Sequence, residues 1–286
     1  MESKELYASV VGSHAWHMEG MDSDLDYWVI YQAPSQSFLL GNTHRRGHSS
    51  KGHFQPLSST EFEGASHLNV PITWDRSSFE IGQHIRELMG GNINHVVGLL
   101  GPSTYPFNGN DPTEIHRDIK FDDVVIRQWF QTLPYGSKTP STPFESHAWI
   151  KQELRKLFLS NPSKNIFTSV NGMSSHNINK YFVREHRSGK TNPQFIPDTK
   201  ENELVRIKKL GQIKRVIEFG FRVLVSGIYD LRPVKILNGS DGELSSVRQW
   251  QEDLKHAYDA SDLPEKPDNE PYEEFLMDLR MSMLDR

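Results

Sequence analysis

The stretch that most constrains this chain is the apolar run LDYWVIY from Leu25 to Tyr31. It is rich in the aromatic and β-branched residues that favour a strand, and it is headed by Asp24-Leu25-Asp26. Residues two apart on a strand point to the same face, about 6.5 to 7 Å apart along the chain, so Asp24 and Asp26 are expected to project together. Two carboxylates so placed repel each other unless a cation joins them. Oxygen ligands suit Mg2+ or Mn2+, and a pair of such ions about 3.5 to 4 Å apart activates an attacking hydroxyl while stabilising a leaving pyrophosphate. An isolated Asp-x-Asp also suits a solvated turn; the strand that follows it here argues for the metal site.

Ahead of this pair a short apolar segment from Leu6 to Val11 leads into Gly12-Ser13, and ten residues separate that turn from Asp24. Such a turn presents backbone N–H groups and a hydroxyl to a triphosphate. Downstream, His67 to Trp74 predicts another strand. Asp75-Arg76-Ser77-Ser78 then supplies N-cap residues for a helix from about Phe79 to Met89, which Gly90, Gly91 and Asn92 end. A third carboxylate normally completes the first metal's shell. Asp75, at the end of the predicted strand, is the first choice and Glu80, one turn into the helix, the second. Asp75 also suits a plain N-cap, and Glu80 an ordinary first-turn residue favoured by the helix dipole.

Between the two predicted strands the chain is polar and rich in Ser, Gly and His as far as about Ser66. Arg45, Arg46, Lys51 and the histidines His44, His48, His53 and His67 lie in or beside this stretch. Irregular histidine spacing without cysteine favours a loop over a metal cluster, and its basic residues suit closure over a triphosphate. After Asp118, apolar residues recur at helical spacing in FDDVVIRQWFQTL, HAWIKQELRKLFL and ELVRIKKLGQIKRVIEFGFRVLVSG, the last ending at Gly227. A final amphipathic helix is expected in EEFLMDLRMSML. The expected organisation is therefore an α/β domain over 1–115, a small mixed sheet flanked by helices, and a mainly helical C-terminal domain over 116–286.

With 286 residues, 36% of them hydrophobic, the chain can fill a core, and its net charge of −5 confines any nucleic-acid contact to a local basic groove. The absence of cysteine excludes disulfides, zinc thiolate sites and thiol catalysis. No stretch approaches the roughly 20 apolar residues of a membrane span, so the expectation is a cytoplasmic protein without a membrane partner.

The segment VVGSHAWHMEGMDSDLDYWVIY resembles the Gly-Ser, then Ser-Asp-x-Asp signature of DNA polymerase β superfamily nucleotidyltransferases. More narrowly, the chain is similar to the nucleotidyltransferases associated with RNA ligases and RNA repair. WDRSSFEIGQHIRELMGGNINHVVGLL looks like that family's third catalytic strand and following helix, with Asp75 at the acidic position and Asn92 and Asn94 at the two asparagines. The stretch from Arg206 to Gly227 and the ending SDLPEKPDNEPYEEFLMDLR resemble its helical C-terminal region, with Lys208 and Arg215 at characteristic basic positions. There are departures: His17 stands at a usual Gly, Ile93 at a Pro, Gly98 at a Glu, Gln83 at a Lys and Gln212 at a His. These bear on the substrate more than on the reaction.

The resemblance implies the nucleotidyltransferase fold and transfer of a nucleoside monophosphate from an NTP, with two Mg2+ or Mn2+ ions per site. Asp24, Asp26 and Asp75 would ligate the metals, and Gly12, Ser13, Ser23, Lys208 and Arg215 would bind nucleotide. It also implies an RNA end as acceptor and functional association with an RNA ligase. Arg45, Arg46, Arg184, Arg187 and Lys190 are candidate RNA contacts; near the last three, Tyr181 and His186 add the mixture of aromatic and basic groups that suits single-stranded RNA, although a solvated face has the same composition. Lys208 and Arg215, seven apart, share a helical face whose alternative use is ion pairing with Glu203 or Glu218. Two other functions fit the same residues: transfer to a protein or small-molecule hydroxyl, and a non-enzymatic RNA-binding module.

Overall fold

The computed structural model describes residues 4–16, 25–34, 48–53, 73–101, 143–181, 200–234 and 241–284. Within them the chain is α+β: a small mixed sheet and a larger complement of helices. It divides into two compact units. The first comprises Met1–Glu87, Asn94–Phe158 and Asn269–Arg286; the second comprises Leu88–Ile93 and Leu159–Asp268. The expected boundary at 115/116 lies outside the described residues, as does the helix expected in FDDVVIRQWFQTL.

The first unit is built on four strands, β1 (Lys4–Val10), β2 (Leu25–Gln32), β3 (His48–His53) and β4 (Thr73–Glu80), in the order β1-β2-β4-β3. β1 runs antiparallel to β2, β2 parallel to β4, and β3 antiparallel to β4. Val29, Ile30 and Tyr31 are all buried, so β2 is covered on both faces, as its unbroken apolar run requires. Along β4, Asp75, Ser77 and Phe79 alternate with Arg76, Ser78 and Glu80. Register places the first set on the face of Asp26, Trp28 and Ile30. Helix α1 (Gly12–Ala15) follows β1, and α2 (Ile81–Met89) and α3 (Ile93–Leu100) follow β4. α3 covers the Asp26 face, where the His95 ring lies 4.7 Å from Phe79 and 4.9 Å from Trp28. From α4 (Pro143–Leu159), Lys151 Nζ donates to the Gly101 carbonyl at 2.6 Å.

Two expectations change here. The polar stretch read as a loop contains β3, whose HSSKGH composition carries no strand signal of its own. It pairs because β4 offers an open row of backbone groups, and an edge strand tolerates polar side chains. The segment Asp75–Ser78, expected to cap a helix beginning near Phe79, is instead strand; the helix begins at Ile81. Pairing with β2 from Trp74 to Glu80 outweighs the local N-cap preference of Asp and Ser. The predicted start of that strand, 67–72, lies outside the described residues.

The second unit is dominated by α5 (Ile166–Tyr181), α6 (Lys200–Ser226) and α7 (Asp241–Ala260). Val170 of α5, Ile213, Phe219 and Val223 of α6, and Leu254 of α7 are buried among them. α6 ends as expected at Gly227, which has a φ of 68°. The last helix, α8 (Glu270–Leu284), belongs to the first unit, where Tyr272 is fully buried and Arg280 reaches Glu80. Among the described residues no helix is long and apolar enough to cross a membrane.

Candidate active site

The site is assembled where β1 turns into α1 beside the first residues of β2. Val11 N–H donates to the Asp26 carbonyl at 2.9 Å, holding the turn against the strand. Gly12 has a φ of 65°, and a Cβ placed on it would lie 1.9 Å from Asp26 Oδ2. Only glycine meets both conditions, so the Asp26 carboxylate rests directly over the Gly12-Ser13 backbone.

Asp26 is paired in register with Asp75 on the parallel neighbour β4, and Asp75 is paired with Lys51 on β3. Neighbouring strands lie about 4.8 Å apart, so a row of two carboxylates and one ammonium crosses three strands on one face. Lys51 Nζ lies 2.5 Å from Asp75 Oδ2; the Lys51 side chain is 77% exposed and that of Asp75 31%. Like charges side by side are unfavourable, and the lysine offsets part of that repulsion. Asp24 and Ser23, the other members of the motif, lie outside the described residues. Among the described residues no group of three or more Asp, Glu or His side chains could hold a metal. Asp26 and Asp75, two hard oxygen donors in register with water access at Asp75, suit a divalent cation of the Mg2+ class.

Glu80 is elsewhere. It stands five residues along β4 on the opposite face, is 1% exposed, and caps α2 by accepting the N–H groups of Gly82 at 2.7 Å and Gln83 at 3.2 Å through Oε2. Its Oε1 accepts from the Arg280 guanidinium at 3.2 Å. The structure therefore brings Asp75, and not Glu80, beside Asp26.

The remaining candidates belong to the second unit, to other positions of the first, or to residues outside the described ones. Lys208 and Arg215 are on α6 in the second unit, the first exposed and the second half-buried. Glu218, a suggested ion-pair partner for them, lies 3.8 Å from Lys214 and 3.9 Å from Arg222. Arg45, Arg46, Arg184, His186, Arg187, Lys190 and Glu203's side chain are outside what the structure describes, as are His17, His44 and His67. His48 and His53 are the ends of β3. Gln212 accepts from Lys209 at 2.6 Å. Gly98, which stands at an expected Glu, has a structural cause: a Cβ there would lie 2.4 Å from Trp28 Cδ1.

Two features carry no local signal in the sequence. One is the Lys51–Asp75 pairing, since nothing local marks β3 as a strand. The other is a buried histidine pair under α3 on the same face of the sheet, His84 and His95, with their Nδ1 atoms 2.8 Å apart. Burial, then His95, then Lys151 hold His84 well below the usual histidine range, and burial lowers His95 to about 4. Both rings are therefore neutral at pH 7, one donating to the other.

Compared with protein-family models, with curated proteins and with solved structures, the chain matches none.

Proposed function

We propose that this chain is a divalent-metal-dependent nucleotidyltransferase of the DNA polymerase β type, transferring a nucleoside monophosphate from an NTP to an RNA end. The observation that carries the reading is the register of Asp26 against Asp75, with the Asp26 carboxylate seated on the Gly12-Ser13 turn. The resemblance of VVGSHAWHMEGMDSDLDYWVIY to the superfamily signature supplies the reaction class, and the narrower resemblance to the nucleotidyltransferases of RNA repair supplies the RNA acceptor.

Mg2+ or Mn2+ held by Asp26 and Asp75, with Asp24 from the same motif, would supply charge neutralisation at the phosphate oxygens and a more acidic acceptor hydroxyl. The chain's own residues do the positioning. Gly12 brings backbone close to the Asp26 carboxylate, and Ser13 offers a hydroxyl and an N–H to the triphosphate beside it. Asp75, the middle member of the row, serves the acceptor side. The acceptor oxygen passes its proton to solvent water and forms a bond to the α-phosphorus, the bond from that phosphorus to the bridging oxygen breaks, and pyrophosphate leaves. An RNA-binding module gains nothing from adjacent carboxylates in its groove, which favours the enzyme.

Incubation with Mg2+, each α-labelled NTP and RNA oligonucleotides with different ends tests this. Label transferred to RNA by the wild type and lost in Asp26→Ala is the expected result. Pyrophosphate release without labelled RNA would redirect the search to a protein or small-molecule acceptor. Salt-sensitive RNA binding with neither readout would overturn the enzymatic reading.

A further inference from the structure

Lys51 is the one member of the cross-strand row that a metal site does not call for. It faces Asp75 from the edge strand β3, its Nζ 2.5 Å from Oδ2, on a side chain left largely in solvent. Exposed pairs of this kind contribute little, so this one opens readily. A cation of charge +2 that uses the Asp75 carboxylate brings like charge against the ammonium at the same oxygen.

We infer that Lys51 is a resident counter-ion of Asp75, one that a divalent metal must displace and that, once displaced, serves the phosphate oxygens of the incoming nucleotide. This rests on the nucleotidyltransferase reading above. Without metal, Lys51 relieves the repulsion between Asp26 and Asp75 and keeps the carboxylate row in place. With metal and nucleotide, the ammonium moves from a carboxylate oxygen to a phosphate oxygen a short swing away, remaining protonated throughout. A four-carbon stem on an edge strand permits that swing without change to the backbone. Lys51 is thus a positioning residue that couples metal entry to nucleotide entry: metal alone binds against it, and metal with nucleotide binds with its help.

Mn2+ binding followed by the loss of the free-ion electron paramagnetic resonance signal tests this on the full chain, with and without a non-hydrolysable NTP analogue. In Lys51→Gln, Mn2+ alone is expected to bind about fivefold tighter than in the wild type, matching the upper value for an exposed pair. The analogue should enhance Mn2+ affinity in the wild type more than in Lys51→Gln, and Lys51→Arg should restore wild-type behaviour in both respects. Unchanged or weaker Mn2+ binding in Lys51→Gln, while Asp26→Asn and Asp75→Asn lose it, would overturn the inference and leave the metal site standing. Mn2+ binding that is absent from the wild type, or indifferent to Asp26→Asn and Asp75→Asn, would overturn both.

Discussion

The two ends of β4 carry carboxylates in opposite circumstances. Glu80 is buried and fully engaged, its oxygens taken by two backbone N–H groups and a guanidinium. Asp75 is partly exposed, set beside another carboxylate and held by a single-point contact from an exposed lysine. A dehydrated carboxylate with its lone pairs satisfied is committed to the fold, because no ligand can reach it without breaking those bonds. One that sits in water beside a like charge contributes little to stability and remains available for chemistry. Charge alone does not separate the two; burial and hydrogen-bond satisfaction do.

Substitutions at the two ends of β4 should therefore diverge. The largest expected effect is on catalysis, at Asp75 and at Asp26 paired with it on β2: Asp26→Asn and Asp75→Asn should each lower nucleotidyl transfer by about 1000-fold, roughly 4 kcal/mol of transition-state stabilisation. Their urea midpoints should stay close to wild type, and a large loss of stability in either would erase the contrast. Glu80→Ala should do the reverse. It removes the α2 cap and strands Arg280, costing roughly 3 kcal/mol in urea unfolding, with transfer per folded molecule retained.

A third test moves the comparison to the histidine pair. His84 and His95 face each other, the Tyr7 ring, whose centroid is 6.1 Å from that of His84, and the nearby Lys151 ammonium. The folded pKa of His95 is about 4 against 6.5 unfolded, and that of His84 is lowered too. The unfolded state thus binds more protons between these values, so stability is full above about pH 6.5 and falls as pH drops towards 4. His95 alone accounts for about 3 kcal/mol of that loss. His95→Phe should flatten the slope of stability against pH in this window; an unchanged slope would remove the pair as its cause. The smallest effect is expected for Gly98→Ala, about 2 kcal/mol of destabilisation from the forced shift of Trp28, read from the urea midpoint.

Legibility in the sequence follows how local each decision was. LDYWVIY reads as a strand because its side chains favour that state, and the structure has β2 there. The ends of α2 and α6 were readable from Gly90-Gly91 and Gly227, since only a few neighbouring residues set them. β3 was not readable: Ser49, Ser50 and Lys51 become a strand only because β4 lies alongside. The start of α2 was misplaced by two residues for the same reason, because Ser77 and Ser78 look like cap residues until a parallel neighbour claims their backbone. Gly98 gave no sign of its cause, which is a tryptophan seventy positions earlier in the chain.

Local chemistry alone determined the apolar strand headed by an Asp-x-Asp, the glycine turn before it, the amphipathic helices of the second half and the exclusion of thiol chemistry. Only the tertiary structure decided which later carboxylate stands beside Asp26, which is left as a cap, and that a lysine from a polar edge strand completes the row. The physical reason is that register between strands is a property of pairs of distant segments. A one-residue shift of β4 against β2 would turn Asp75 to the other face, and no feature within either segment alone sets that alignment.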